Sequence, residues 1–315
     1  MRPLADLAAA LNAASVANPS SAPTAAVALI LCPPAASNAS VDLLFIVRAD
    51  NPDDAWSGHV AFPGGRTSVD DAGPTATAIR ETYEEIGLDL SNTAAFACLG
   101  PLPRVHVFHS RRIAPVVLDI EPVVFASGLP AARLVDDMVL EPSEVRAVLS
   151  VPLTALTNVD AVSHIALPLL SIFAFVDNLL PETLWREAGL DAPLFGRLDL
   201  HTCGAQVLAL VGGRYVLEKA RPMLWGISLR MVIDLFHILD EAFDDWPRLH
   251  VTTHPLFPHN KPAQLLLTWL MYTLPSQGSP HPRITKMDAI ATAKPVIALL
   301  IAMAHWFSTR TESKL

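Results

Sequence analysis

The stretch from Gly64 to Leu90, GGRTSVDDAGPTATAIRETYEEIGLDL, constrains this chain most, because Arg80, Glu81, Glu84 and Glu85 fall within six of its residues. Carboxylates that close repel one another, and burial adds a desolvation penalty, so the cluster needs a cation among them. The spacing in TATAIRETYEEIG predicts a helix, with Ala76, Ile79 and Tyr83 recurring on one side and Gly87 placed to end it. Glu81, Glu84 and Glu85 stand at i, i+3 and i+4 and are expected to project from one face. Oxygen ligands of that kind suit a hard divalent ion, Mg²⁺ or Mn²⁺, which in turn is commonly shared with phosphate oxygens. Just upstream, FPGGR allows backbone to approach the same face, since glycine adds no side chain. The competing reading is a solvated helix face, which leaves the neighbouring Phe62-Pro63-Gly64-Gly65 unexplained.

Composition narrows the classes. With 315 residues, 51% hydrophobic and 17% charged, and a mean hydropathy of +0.38, the chain reads as globular with some apolar surface. A net charge of -9 argues against general nucleic-acid binding, which rests on a basic face. Cys32, Cys98 and Cys203 lie far apart without a CxxC pair, so neither a disulfide framework nor a cysteine zinc site is expected, and a reducing compartment fits. The N-terminal MRPLADLAAALNAASVANPSSAP lacks a continuous apolar core; it reads as a short helix and a linker, not a secretory signal.

Along the chain the pattern mixes α and β. Residues 24–32 and 41–48 read as strands. Residues 113–127 are strand-like and expected to break at Pro122, 142–156 read as a short helix and then a loop, and 223–243 as an amphipathic helix. GGRY at 212–215 reads as a hairpin turn. His106 with His109, and His250 with His254, have metal-compatible spacing but no evident third ligand, and are read as ordinary histidines. The apolar runs at 263–274 and 295–307 fall short of the ~20 residues that span a bilayer, so packed or surface helices are expected there, with peripheral membrane contact as the lesser alternative.

The helix and its glycine approach resemble the Nudix box of the Nudix hydrolases, G-x5-E-x7-R-E-U-x-E-E-x-G-U with U aliphatic. Gly65, Arg80, Glu81, Glu84, Glu85, Gly87 and Leu88 match; Asp71 stands where the first Glu is expected, one residue further from the Arg, and Thr82 replaces the first aliphatic residue. The longer box preceded by GHVAFPGG is similar to the coenzyme A diphosphatase branch, whose upstream pattern fits Leu43, Leu44, Arg48, Gly58, Val60, Phe62, Pro63, Gly64 and Gly65, with Trp56 in place of a His. The resemblance implies an α/β fold, the Nudix α/β/α sandwich with a mixed sheet, over residues 24–246. Residues 1–23 would precede it as helix and linker, the part around 158–221 would be enlarged, and 247–315 would add a C-terminal helical segment.

By the same resemblance the chain is a diphosphatase that uses Mg²⁺ or Mn²⁺ and cleaves coenzyme A or acyl-CoA to 3′,5′-ADP and 4′-phosphopantetheine or its acyl form. Alternatives are NADH or another nucleoside diphosphate derivative, or a non-catalytic domain that binds a nucleotide or partner. Glu84, Glu85 and the Gly65 carbonyl would hold the metal, Glu81 would be a further ligand or the general base, and Arg80 would orient the carboxylates through Asp71. Glu144 is either a second candidate base or an exposed carboxylate at a helix start. Arg48 and Arg66 would face substrate, while Arg111 and Arg112 are either a solvated pair or a fork for the 3′-phosphate. Ser313, Lys314 and Leu315 spell the address read by the peroxisomal import receptor, so a peroxisome or related organelle such as a glycosome is expected.

Overall fold

The computed structural model describes residues 9–11, 22–35, 40–54, 56–111, 114–166, 194–212 and 215–242. Two compact units divide the chain: 1–107, 118–163 and 196–253 form one, and 108–117, 164–195 and 254–315 the other, most of which lies outside the described residues. The account below concerns the first.

Strand β1 (Ala25–Cys32) and strand β2 (Asp42–Arg48) are followed by the short β3 (Val60–Ala61) and β4 (Gly64–Arg66). Helix α1 (Pro74–Ile86) comes next, then β5 (Phe96–Pro101), β6 (Val105–Arg111), β7 (Ala114–Ser127) and β8 (Val145–Pro152). The described part closes with β9 (Val162–Ala166), β10 (Leu194–Asp199), β11 (Gln206–Leu210), α2 (Leu217–Ala220), β12 (Met223–Trp225) and α3 (Gly226–Ala242). Among the described residues the main sheet runs β11-β8-β2-β1-β7-β5, with β3 on β2, β4 on β1 and β6 on β7, while β12-β10-β9 form a second sheet. The main sheet is mixed: β1 and β7 run parallel, and β1 with β2, β2 with β8 and β5 with β7 antiparallel.

Strand β1 and the interior of β2, between Asp42 and Arg48, are apolar because both of their faces are covered. Side chains alternate across a strand, so Ala26, Ala28 and Ile30 pack with Ala78 and Ile86 of α1, whereas Leu29 and Leu31 join Leu229, Val232, Leu235 and Leu239 of α3. A sheet between two helices is the α/β/α sandwich expected from the sequence.

Several local expectations change. Strand β7 runs through Pro122, which pairs with Val27 on the β1 side. The pairing with β5 ends at Pro101 and Val123, so the missing N–H of Pro122 falls just past that ladder, and its carbonyl still accepts from the Leu102 N–H at 2.9 Å. Residues 145–152 are strand β8, not helix, since the run is bonded to β2 on one side and β11 on the other; Glu144 therefore sits in an exposed turn before a strand and not at a helix start. Met223–Trp225 form a strand before α3 begins. In α1 the inward face carries Thr77, Ala78, Thr82, Glu85 and Ile86, while Tyr83 is exposed. Thr82 tolerates burial because its hydroxyl donates to the Ala78 carbonyl at 2.7 Å, so the residue that departs from the family pattern is satisfied within its own helix.

Residues 9–11 are helical, with Ala10 and Leu11 buried. Residues 213–214, Arg112, and the whole of 243–315 with both apolar runs and the terminal tripeptide lie outside the described residues. No helix among the described residues is long and apolar enough to cross a membrane.

Candidate functional site

Strand β4 brings the glycines to the carboxylates. Gly64 and Gly65 pair antiparallel with Val27 and Ala26, so the sheet fixes their backbone from one side. A Cβ on Gly64 would lie 2.4 Å from the Ala26 carbonyl oxygen, and its φ of 149° is open to glycine and strained for other residues. A Cβ on Gly65 would lie 2.3 Å from Glu81 Oε2, so the absent side chain is the space the Glu81 carboxyl occupies.

Helix α1 supplies the acids. Pro74 opens it, and Gly87 ends it in a left-handed cap whose N–H donates to the Tyr83 carbonyl. Arg80 organises the cluster: Nε and Nη2 donate to Asp71 at 2.9 and 3.0 Å, Nη2 also to the Arg66 carbonyl at 3.0 Å, and Nη1 to Glu81 and Glu84, each at 2.9 Å. Asp71 accepts in addition from the Ser68 N–H and the Thr77 hydroxyl, both at 2.8 Å. With Arg80 foremost among its donors, Asp71 is held well below the usual carboxylate range, and Arg80 is driven up in turn, so each partner favours the ionised form of the other. The shorter Asp, one residue further along, thus closes the same ion pair that a Glu would.

Glu85 is different in kind. It is 3% exposed and accepts from the Gly64 N–H at 2.9 Å. Burial pushes its carboxyl up to about 8; the charges of Glu144 and Glu81 add to the rise, while the Gly64 N–H and Arg48 oppose it. Glu81 is raised too, first by burial and against the pull of Arg80.

The three glutamates do not share one open face. Glu85 turns inward to Gly64, while Glu81 and Glu84 turn to Arg80, and among the described residues no three His, Cys, Asp or Glu side chains are gathered as an ion would need them. The donor set nevertheless fits a hard divalent cation: all oxygen, three carboxylates close together on one helix, a glycine whose missing side chain leaves room for the Glu81 carboxyl, and a buried carboxyl whose high proton affinity a cation would relieve. Glu81, Glu84, Glu85 and the Gly65 carbonyl would hold such an ion, while Arg80 is also bonded to Asp71.

Of the other expected site residues, Arg48 lies in this neighbourhood, its charge felt by Glu85, and donates to Asp54 Oδ2 through Nε at 3.0 Å and Nη2 at 2.7 Å. Glu144 is exposed and close enough to raise both Glu81 and Glu85, and its carbonyl accepts from the Ala49 N–H. Arg66 meets the cluster through its backbone carbonyl. Arg111 ends β6, and its side chain, like Arg112, is outside the described set. Sequence reasoning missed an ion pair between Arg146 and Asp50, with the Arg146 guanidinium 5.4 Å from the Tyr215 ring centroid, and a ring cluster of Trp56, His59 and Trp225. No local motif marks them, since the partners are far apart in sequence: Asp50 meets Arg146, and His59 meets Trp225.

Residues 22–170 match the family model described as NUDIX domain. This part of the chain, just under half of it, is a Nudix domain, in agreement with the sandwich. Within that family the chain is 32% identical over 96 residues to the mitochondrial coenzyme A diphosphatase NUDT8 of Mus musculus, covering 30% of this chain and 44% of that protein. It is 34% identical over 97 residues to Nudix hydrolase 15, mitochondrial, of Arabidopsis thaliana, covering 31% of this chain and 30% of that one. The chain thus spans less than half the length of these curated relatives. Among solved structures, a Caenorhabditis elegans Ap4A hydrolase is 18% identical over 42% of this chain and 80% of its own, at a TM-score of 0.30, too low to bear on function.

Proposed function

We propose that the chain is a metal-dependent diphosphatase that hydrolyses coenzyme A or acyl-CoA to 3′,5′-ADP and 4′-phosphopantetheine or its acyl form. The observation that carries this reading is the Glu81 carboxyl seated in the space of the missing Gly65 side chain, beside the buried Glu85. The mouse relative named a coenzyme A diphosphatase supports the substrate class.

Mg²⁺ or Mn²⁺, held by Glu81, Glu84, Glu85 and the Gly65 carbonyl, would supply charge neutralisation at the diphosphate. The residues of the chain do the rest. Arg80 keeps Asp71 and fixes the turn of α1 from which the acids project. Arg48, on the β2 rim, faces the anionic substrate. Glu81 or Glu144 takes the proton of the attacking water as it adds to one phosphorus, and the phosphorus–oxygen bond to the other phosphate breaks. Glu81 suits that role because its carboxyl, raised by burial, holds a proton more readily than an exposed glutamate.

In a substrate panel with Mg²⁺, coenzyme A is expected to give a higher kcat/KM than NADH or ADP-ribose, with dephospho-CoA poorer through loss of a 3′-phosphate contact. EDTA should abolish turnover. Equal use of coenzyme A and dephospho-CoA would remove the basic 3′-phosphate contact from the reading, and activity confined to NADH would replace the substrate.

Peroxisomal placement rests on Ser313, Lys314 and Leu315, read by the import receptor. A fluorescent protein fused to the N-terminus should collect in peroxisomes, and deletion of the three residues should release it to the cytosol. A punctate pattern that survives the deletion would mean another signal directs the chain.

A further inference from the structure

We propose that the outer face of the second sheet carries a binding site for a small zwitterion, a carboxylate with an ammonium group beside it, as in a free amino acid. No residue of this site belongs to the carboxylate cluster of α1, and the proposal does not rest on the hydrolase reading.

The sheet register places the groups. Asp199 pairs with Met223 and Arg197 with Trp225 across β10 and β12, so Arg197, Asp199 and Met223 share one face, while Leu198 and Leu224 point the other way and are buried in the core. On the outer face a cavity of about 270 Å³ is lined by Asp160, Ser163, Arg197, Asp199, Arg221 and Met223, among others. That volume falls just short of the roughly 300–1,000 Å³ of sites for drug-sized molecules, so it suits a smaller one. Arg221 reaches the cavity from a strained backbone. Among the described residues it is the one non-glycine residue with a positive φ, 43°, held there by its N–H on the Leu217 carbonyl at 2.8 Å and by its ion pair with Asp199.

Charge decides the ligand. Asp199 is 4% exposed and engaged through both oxygens: Oδ1 accepts the His201 N–H at 3.0 Å, and Oδ2 is paired with Arg221. It leaves Arg197 to other partners, and among the described residues the Arg197 side chain makes one hydrogen bond, from Nε to Ser163 Oγ at 3.0 Å. Half-buried Arg197 thus keeps Nη1 and Nη2 for a ligand, and guanidinium matches a carboxylate as a fork. Two guanidiniums against one buried carboxylate leave a single positive charge, which a carboxylate balances and a phosphate monoester, at about -1.5 to -2, exceeds. Asp160 lines the same cavity from an exposed position, and among the described residues its carboxylate has no hydrogen bond or ion pair. It repels a dianion and offers a partner to an ammonium group. A zwitterion satisfies both charges at once.

The test titrates the full-length chain, without nucleotide, with free glycine, acetate, methylamine and inorganic phosphate, and reads affinities by saturation-transfer NMR. The parent should bind glycine most tightly, acetate more weakly, and methylamine and phosphate least. Arg197→Gln should raise the Kd for glycine and for acetate about tenfold or more. Asp160→Asn should raise the Kd for glycine about threefold and leave that for acetate unchanged or lower. Where Arg197→Gln fails to fold, Arg197→Lys, which keeps the charge and loses the fork, replaces it and should weaken both probes in the same sense. A parent that binds neither glycine nor acetate would overturn the site, as would affinities that survive the Arg197 variant. Phosphate bound more tightly than acetate would overturn the carboxylate assignment, and glycine bound by Asp160→Asn as well as by the parent would overturn the zwitterion. No turnover enters these readouts, so a chain inactive on every nucleoside diphosphate derivative would leave the site standing.

Discussion

Glu85→Gln should lower turnover by a factor of ~10² or more while the protein remains folded, since single electrostatic groups at reacting centres carry effects of that size. The amide is nearly isosteric and its oxygen can still accept from the Gly64 N–H, so the backbone contact at 2.9 Å survives while the charge is lost. The same substitution has an opposite effect on stability. A carboxyl raised from 4.5 to about 8 contributes stability that is fully present below pH 4.5 and is lost as pH rises to about 8. Metal-free parent protein is therefore expected to weaken by a few kcal/mol across that window, at ~1.4 kcal/mol for each unit of pKa. Glu85→Gln should flatten the dependence, and Mg²⁺ should restore the parent at pH 8. Thermal melts from pH 4.5 to 8, with and without Mg²⁺, read all three; a variant that keeps both the parent's turnover and its pH slope would remove Glu85 from the metal site.

The two adjacent glycines should respond to alanine in different ways. In Gly64→Ala the new methyl meets backbone, 2.4 Å from the Ala26 carbonyl oxygen and 2.5 Å from the Val27 Cα, at a φ that L-residues rarely adopt. A paired strand cannot move aside for it, so a loss of ~4 kcal/mol or more is expected, enough to leave the chain largely unfolded. In Gly65→Ala the three atoms nearest the methyl all belong to the Glu81 carboxyl, with Oε2 at 2.3 Å, and that flexible side-chain end can swing away. The fold should survive with a modest loss, while turnover falls by ~10-fold or more because a metal ligand or base has been displaced. Urea unfolding together with turnover separates the two. Gly64→Ala with the stability of the parent, or Gly65→Ala with its full activity, would contradict the packing described.

Much of this was legible without coordinates. The spacing of α1, its end at Gly87 and the strands β1 and β2 follow from local patterns, because periodicity and caps act over a few residues, while the sandwich was implied by the resemblance to the Nudix hydrolases. The likeness of Gly65, Arg80, Glu81, Glu84 and Glu85 to the Nudix box is likewise written in one short stretch, as is the partnership of Arg80 with Asp71. What one turn of helix could not reveal is which side faces in. Ala76, Ile79 and Tyr83 suggested one stripe, yet the buried side carries Thr82 and Glu85, since their polar atoms find the Ala78 carbonyl and the Gly64 N–H. That choice belongs to the tertiary structure: only the meeting of α1 with β4 supplies the donor that lets a carboxylate be buried. The same holds for residues 145–152, helical by local reading and a strand because β2 and β11 hydrogen-bond to both their edges, and for the contact of His59 with Trp225, residues far apart in sequence. The sequence by itself determined α1, β1, β2 and the acids that α1 carries; long-range pairing decided that 145–152 is a strand and which side chains meet, because a hydrogen bond between distant strands has no trace in local spacing.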